Sequence, residues 1–255
     1  MILKHYIVRM LKDPMNFIML ILFPIVMISV TTLSGNVEGT DHIRNGFDLF
    51  ATSQTTFNAL FFQFFCAMIV TDLLYLEFRS DMRWRIMATP IPFSRFVRAG
   101  IIASIIVSII NGALVFSFGR FVLNAHLHNL FISSITLLTL AMFLTFLGVL
   151  LFMLIPNKST TTAIIMVFAF AQLLPVQFNM ISIELGSVGI ASFLPVVAAN
   201  NAMMYSGIMI SEVIEGTRIW HDTDMIMSLT HLGILAGYML VAGAAVAFLG
   251  RKRPI

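Results

Sequence analysis

Residues 130–155 read LFISSITLLTLAMFLTFLGVLLFMLI, an apolar run without one charged side chain. A bilayer core about 30 Å thick is crossed by roughly 20 such residues in a helix, because in lipid every backbone N–H and C=O must find its partner inside the segment. Pro156, Asn157, Lys158 and Ser159 then make a tight turn, and a second apolar run starts at Thr160. Two antiparallel membrane helices follow from that pattern, and the rest of the chain repeats it. The 255 residues are 59% hydrophobic and 11% charged, with a mean hydropathy of +0.96. Soluble domains carry about 25% charged residues, so a soluble fold is excluded. Outer-membrane barrels would show alternating segments about ten residues long, whereas these runs are continuous.

Six spans are predicted in an all-α integral membrane fold, filling residues 1–255 as one transmembrane domain. Span 1 covers Met15–Leu33 with a kink at Pro24, and span 2 covers Leu49–Tyr75. Spans 3, 4 and 5 cover Ala99–Phe118, Leu130–Ile155 and Thr160–Ile183, and span 6 covers Met225–Leu249. Residues 1–13 place Tyr6, Ile7 and Met10 on one helical face and Lys4, His5, Arg9 and Lys12 largely on the other, the pattern of an interfacial helix. The first apolar segment is followed by no small-residue cleavage pattern and is expected to be retained. Residues 184–224 mix apolar pieces with glycine, proline and acids, which suggests a re-entrant or surface hairpin on the outside between spans 5 and 6.

With the N-terminus in the cytoplasm, 12 of the 15 basic residues fall inside and only Arg44, Arg120 and Arg218 outside. That bias predicts an even number of spans with both termini cytoplasmic. It also accounts for the net charge of +3 without nucleic acid as a partner. Cys66, the only cysteine, lies in an apolar run and can form neither an intrachain disulfide nor a cysteine cluster.

Residues 77–95 are the most charged stretch. Glu77, Arg79, Asp81 and Arg83 alternate in charge, Arg85 adds a further cation, an apolar ridge is formed by Trp84, Ile86 and Met87, and Thr89-Pro90 ends it. A short helix on the cytoplasmic surface is expected, able to seat in a groove on a soluble partner. The plain alternative is a positive loop that only fixes topology.

This arrangement resembles the type-two permeases of ATP-binding cassette exporters, in which an N-terminal surface helix, a short cytoplasmic helix after span 2 and a broken outer hairpin before span 6 recur. Leu194-Pro195 matches the Leu-Pro often found in that hairpin, whereas Asp81-Met82 stands where many members have Gly-Thr. The resemblance implies that Glu77, Arg79, Asp81, Arg83, Trp84, Arg85, Thr89 and Pro90 couple to an ATPase subunit. No G-x-x-x-x-G-K-[ST] phosphate loop occurs, so ATP and magnesium would be held by that partner and this chain would bind no cofactor and catalyse nothing. It further implies a homodimer or a pairing with a paralogous permease, surrounded by membrane lipid in a bacterial plasma membrane. The expected activity is alternating access that exports an amphiphilic drug or antimicrobial peptide.

In span 2, Thr52, Thr56, Ala59, Gln63, Ala67 and Thr71 share one stripe, and in span 5 so do Phe168, Gln172, Pro175 and Asn179. Thr56, Gln63, Phe168, Gln172 and Asn179 are candidates for a substrate path, unless the stripes merely join helices. Glu184 and Pro195 are candidates for an outer gate. Asp72, near the inner end of span 2, is expected to pair with a cytoplasmic arginine. Gly233-x-x-x-Gly237 permits close helix approach and is expected to pack within the subunit, with a dimer interface as the alternative. His126-x-His128 is a weak metal signal without a third ligand.

Two other classes compete. An ion-coupled secondary transporter would want a repeated half and a charge at mid-span. An intramembrane enzyme would want H-E-x-x-H or clustered acids and histidines, and the sequence has neither.

Overall fold

The computed structural model describes residues 2–35, 43–44, 47–80, 83–84, 88, 92–125, 129–177, 193–207, 210–214, 217–221 and 224–252. Helices carry the architecture: α1 (Ile2–Lys12), α2 (Pro14–Phe17), a π-helical turn (Ile18–Leu22), α3 (Phe23–Gly35), α4 (Leu49–Phe78), α5 (Phe93–Phe121), α6 (Leu130–Leu154), α7 (Lys158–Gln177), α8 (Pro195–Gly207) and α9 (Met225–Lys252). Two short antiparallel strand pairs join them, β1 (Ile43–Arg44) with β2 (Phe47–Asp48) and β3 (Ile210–Ile214) with β4 (Thr217–His221).

Among the described residues, four helices, α4, α5, α6 and α9, are long and apolar enough to cross a membrane. The runs expected as spans 1 and 5 differ from them. Pro24 has no N–H to give the carbonyl four residues back, and its ring crowds that carbonyl. The helix answers with the wider π turn at Ile18–Leu22, so this run is three helical pieces in succession. Among the described residues, the apolar part of α7 is shorter than that of the four long helices. In the segment expected as an outer hairpin, the described backbone forms α8 and then the β3–β4 hairpin, with Ile210 opposite His221 and Ile214 opposite Thr217.

α4 is the central helix. Some 71% of its membrane-length window is buried, against 11% for α9. Its first half joins Leu140, Leu144, Ile165 and Leu235 in one apolar cluster, and its last turns join Tyr6, Met10, Val97 and Phe152 in another. Small residues set how closely its neighbours approach. A Cβ on Gly119 of α5 would collide with Thr55, and one on Gly148 of α6 would lie 2.7 Å from Thr71 Oγ1 and 2.9 Å from the Ala67 carbonyl oxygen.

Local chemistry ends the helices. α5 stops where Asn124 turns left-handed (φ 58°) and the Ala125 N–H returns to the Gly119 carbonyl, closing its last turn. Asn129 opens α6 by accepting the Ile132 N–H at 3.1 Å. Asp224 opens α9 in the same way, from Met227 N–H at 3.0 Å. Ser228 Oγ of α9 donates to the Ala202 carbonyl at 2.7 Å, and the Tyr205 ring stacks on His231, which fastens α8 to α9.

Candidate functional site

The end of α4 is cross-linked by side chains to α1, α6 and α7. On α1, Tyr6 and Met10 are one turn apart and face inward, and a Cβ on Gly100 of α5 would lie 3.8 Å from the Tyr6 ring. The Tyr6 hydroxyl donates to Glu77 Oε2, and Arg9 Nη1 stands 3.6 Å from Glu77 Oε1. Glu77 is only 5% exposed, so its carboxylate depends on these two partners in place of water. Burial, then the bond to Glu77, push the Tyr6 hydroxyl above its ordinary pKa of 10.0 and keep it a donor.

Two residues on, Arg79 reaches the opposite side. Its guanidinium donates to the Ile155 carbonyl at 2.8 Å and the Phe152 carbonyl at 2.9 Å, and lies over the Tyr75 and Phe152 rings. The last four carbonyls of a helix have no partner within it, and a cation there also meets the negative end of the helix dipole. Arg79 therefore caps α6. Tyr75 donates to the same Ile155 carbonyl at 2.6 Å, and its oxygen accepts from Thr161 Oγ1 of α7 at 2.8 Å. Asp72 pairs with Lys158 Nζ at 3.1 Å. That corrects the expected arginine partner: Lys158 opens α7, and the α6–α7 turn brings it beside Asp72, although the two are far apart in sequence.

Of the other coupling candidates, Arg83 and Trp84 stand in a helical turn, with the Arg83 N–H on the Ser80 carbonyl and the Ala88 N–H on the Trp84 carbonyl. Trp84 is 76% exposed. Asp81, Arg85, Thr89 and Pro90 lie outside the described residues.

The path candidates sit at helix seams. Thr56, Gln63 and Gln172 are buried, and the Phe168 ring meets Phe64 edge to face. Ser108 Oγ of α5 donates to Gln63 Oε1, and Gln63 Nε2 stands beside Gly112. Gln172 Oε1 of α7 accepts the Val196 N–H at 3.0 Å, satisfying a donor in the first turn of α8. Among the described residues, the Nε2 of Gln63 and of Gln172 is buried without a partner. A cavity of about 100 Å³ lies nearby between α5 and α6, lined by Ser108, Gly112 and Ser134. Asn179 and Glu184 lie outside the described residues, and Pro195 is buried as the first residue of α8.

Among the described residues, Gly233 and Gly237 of α9 meet nothing within 4 Å of a would-be Cβ. Packing within the subunit, expected from their spacing, is thus corrected for this pair. Gly243 does pack, with a would-be Cβ 3.2 Å from Phe146. No three His, Cys, Asp or Glu side chains come together among the described residues, and His126 and His128 fall outside them.

Sequence reasoning missed Tyr6, Tyr75, Lys158 and Thr161 as the groups that bind the end of α4. Only Tyr6 gave a signal, as the polar-tipped member of the apolar face of α1. No protein-family model matches the chain, and no curated protein is significantly similar to it.

Proposed function

We propose that this chain is the permease subunit of an ATP-driven exporter, working as a pair of permeases with a separate ATPase subunit. The four long helices would be joined as spans by the Pro14–Gly35 run and by α7, giving six. One observation carries the proposal. The end of α4 is fastened to α1 through Tyr6, Glu77 and Arg9, and to the α6–α7 turn through Tyr75 and Arg79. A push on the charged segment that follows α4 would therefore reach three membrane elements at once, as a coupling device requires.

Charge supports an orientation. Lys4, Arg9, Lys12, Arg79, Arg83, Arg95, Arg98 and Lys158 gather at the end of the bundle where α4 finishes, and Arg120 lies at the other. By the positive-inside rule that end, with the N-terminus, is cytoplasmic. Exposed Trp84 then faces the side on which ATP is available. Glu184 and Pro195 belong to the outer face, and Gln63 and Gln172, each with an unmet amide N–H, are the polar groups a substrate would meet. The cargo is an amphiphilic drug or peptide leaving a bacterial cell.

Reconstitution tests this. Liposomes containing the chain and its phosphate-loop ATPase partner should take up an amphiphilic dye or peptide when ATP is added outside. Trp84→Ala should abolish uptake while leaving the ATPase active. Transport by the chain alone, driven by an ion gradient, would refute the proposal.

A further inference from the structure

We propose that the groove where the end of α4 meets the α6–α7 turn binds the phosphate head group of an anionic phospholipid. The groove holds about 450 Å³ and opens outward. Arg79, Ser80, Asn157 and Lys158 give it polar and cationic walls, and Leu76 and Pro156 give it apolar ones.

Four features point to a lipid phosphate. Among the described residues, Arg79 and Lys158 bring two positive charges against the one carboxylate of Asp72, so these groups make the groove net cationic. Arg79 is already held by two carbonyls and two rings, and only two of its five N–H donors are taken by those carbonyls. A guanidinium fixed before the ligand arrives loses little freedom on binding it. Lys158 has its side chain 48% exposed, so its ammonium can also meet a ligand. Finally, the groove lies at the last turn of a membrane-length helix, where head groups sit, and Leu76, 43% exposed, offers a surface for an acyl chain. Basic pockets between membrane helices bind anionic head groups through this combination of charge and apolar wall. An acidic segment of a soluble protein would satisfy the cations but would gain nothing from Leu76. The site does not depend on export, only on the chain lying in a membrane.

The experiment titrates delipidated protein with phosphatidylglycerol or phosphatidylcholine and counts bound lipids by native mass spectrometry. Phosphatidylglycerol should bind more tightly, and Lys158→Gln should weaken it about fivefold. Asp72→Asn should strengthen it, because a neighbouring negative charge is gone. The opposite signs matter: both substitutions break the Asp72–Lys158 pair, so a merely structural effect would move both the same way. Lys4→Gln with Lys12→Gln, on the exposed face of α1, should leave the affinity within about twofold. Equal binding of the two lipids would overturn the proposal, as would an effect of the α1 pair as large as that of Lys158→Gln. Displacement of the lipid by millimolar inorganic phosphate would assign the site to the free ion, and displacement by polyglutamate would assign it to an acidic protein. Either result would also overturn it.

Discussion

Tyr6 donates a hydrogen bond to Glu77 across 71 residues of sequence, and with the Arg9–Glu77 pair this contact seats the N-terminal helix on the end of α4. Tyr6→Phe keeps the ring and removes the donor, leaving the buried carboxylate with Arg9 alone. A buried acceptor that loses its partner costs about 1–3 kcal/mol. Thermal unfolding in detergent should show that loss, and Glu77→Gln should lose less, because a neutral amide is easier to bury. A Tyr6→Phe variant as stable as the parent would leave this contact without energetic weight.

The same hydroxyl predicts a response to alkali. Its folded-state pKa lies above the ordinary value of 10.0, raised first by burial and then by Glu77. Below pH 10 the tyrosine is protonated in both states and its stabilisation is complete. As pH rises beyond 10 the unfolded chain releases the proton first, so stability falls by about 1.4 kcal/mol per pH unit. Unfolding midpoints followed from pH 9 to 11.5 should drop more steeply in the parent than in Tyr6→Phe. Parallel curves would contradict the assignment.

Arg79→Lys keeps the charge and loses the planar fork that spans the Phe152 and Ile155 carbonyls. The loss should be about 1–2 kcal/mol, with Arg79→Ala at least as costly. Hydrogen exchange offers a local check, since the amides of the last turn of α6 should open sooner in both variants. Protection unchanged there would mean that water replaces the guanidinium freely.

Glycine substitutions separate packed seams from open faces. Gly119→Ala drives a methyl into Thr55, and Gly148→Ala drives one onto Thr71 and the Ala67 carbonyl, a backbone atom that cannot rotate away. Each should cost about 1–3 kcal/mol. Gly233→Ala and Gly237→Ala meet open space among the described residues and should gain up to about 1 kcal/mol from better helix propensity. A clear destabilisation by Gly237→Ala in the assembled protein, with none in the monomer, would show that another chain covers this face.

Gln172→Ala removes the acceptor of the Val196 N–H and should cost about 1 kcal/mol as a lost helix cap. Under the proposed function it should also alter export, as should Gln63→Ala. Unchanged efflux in both variants would remove these residues from the path.

Much of this architecture is legible in the sequence because lipid leaves the backbone few choices. Continuous apolar runs such as 130–155 must be helical, and the clustering of cations marks one end. Pro24 announced a disturbance, but sequence could not say that a π turn would absorb it, since that depends on how the chain restores its hydrogen bonds. Contacts across the bundle were illegible for a different reason. Asp72 near the end of one helix and Lys158 at the start of another carry charges, but no register between them. The stripe through Gln63, Ala67 and Thr71 likewise has the same periodicity whether it lines a path or meets Gly148, and only the neighbouring helix distinguishes the two. The glycines of α9 mislead in the opposite direction, because their spacing permits close packing without requiring it.

The clamp on α6 also sets an order of events during synthesis. Arg79 finds its carbonyl partner 76 residues later in the chain, which at 5–20 residues per second is roughly 4–15 s of translation. Throughout that interval the guanidinium and the charged segment behind it must wait without their final support, while α5 and α6 are still entering the membrane. The last turn of α4 is thus made well before it can settle, and a ribosome that stalls before Ile155 would leave behind a chain in which this turn lacks its clamp on α6.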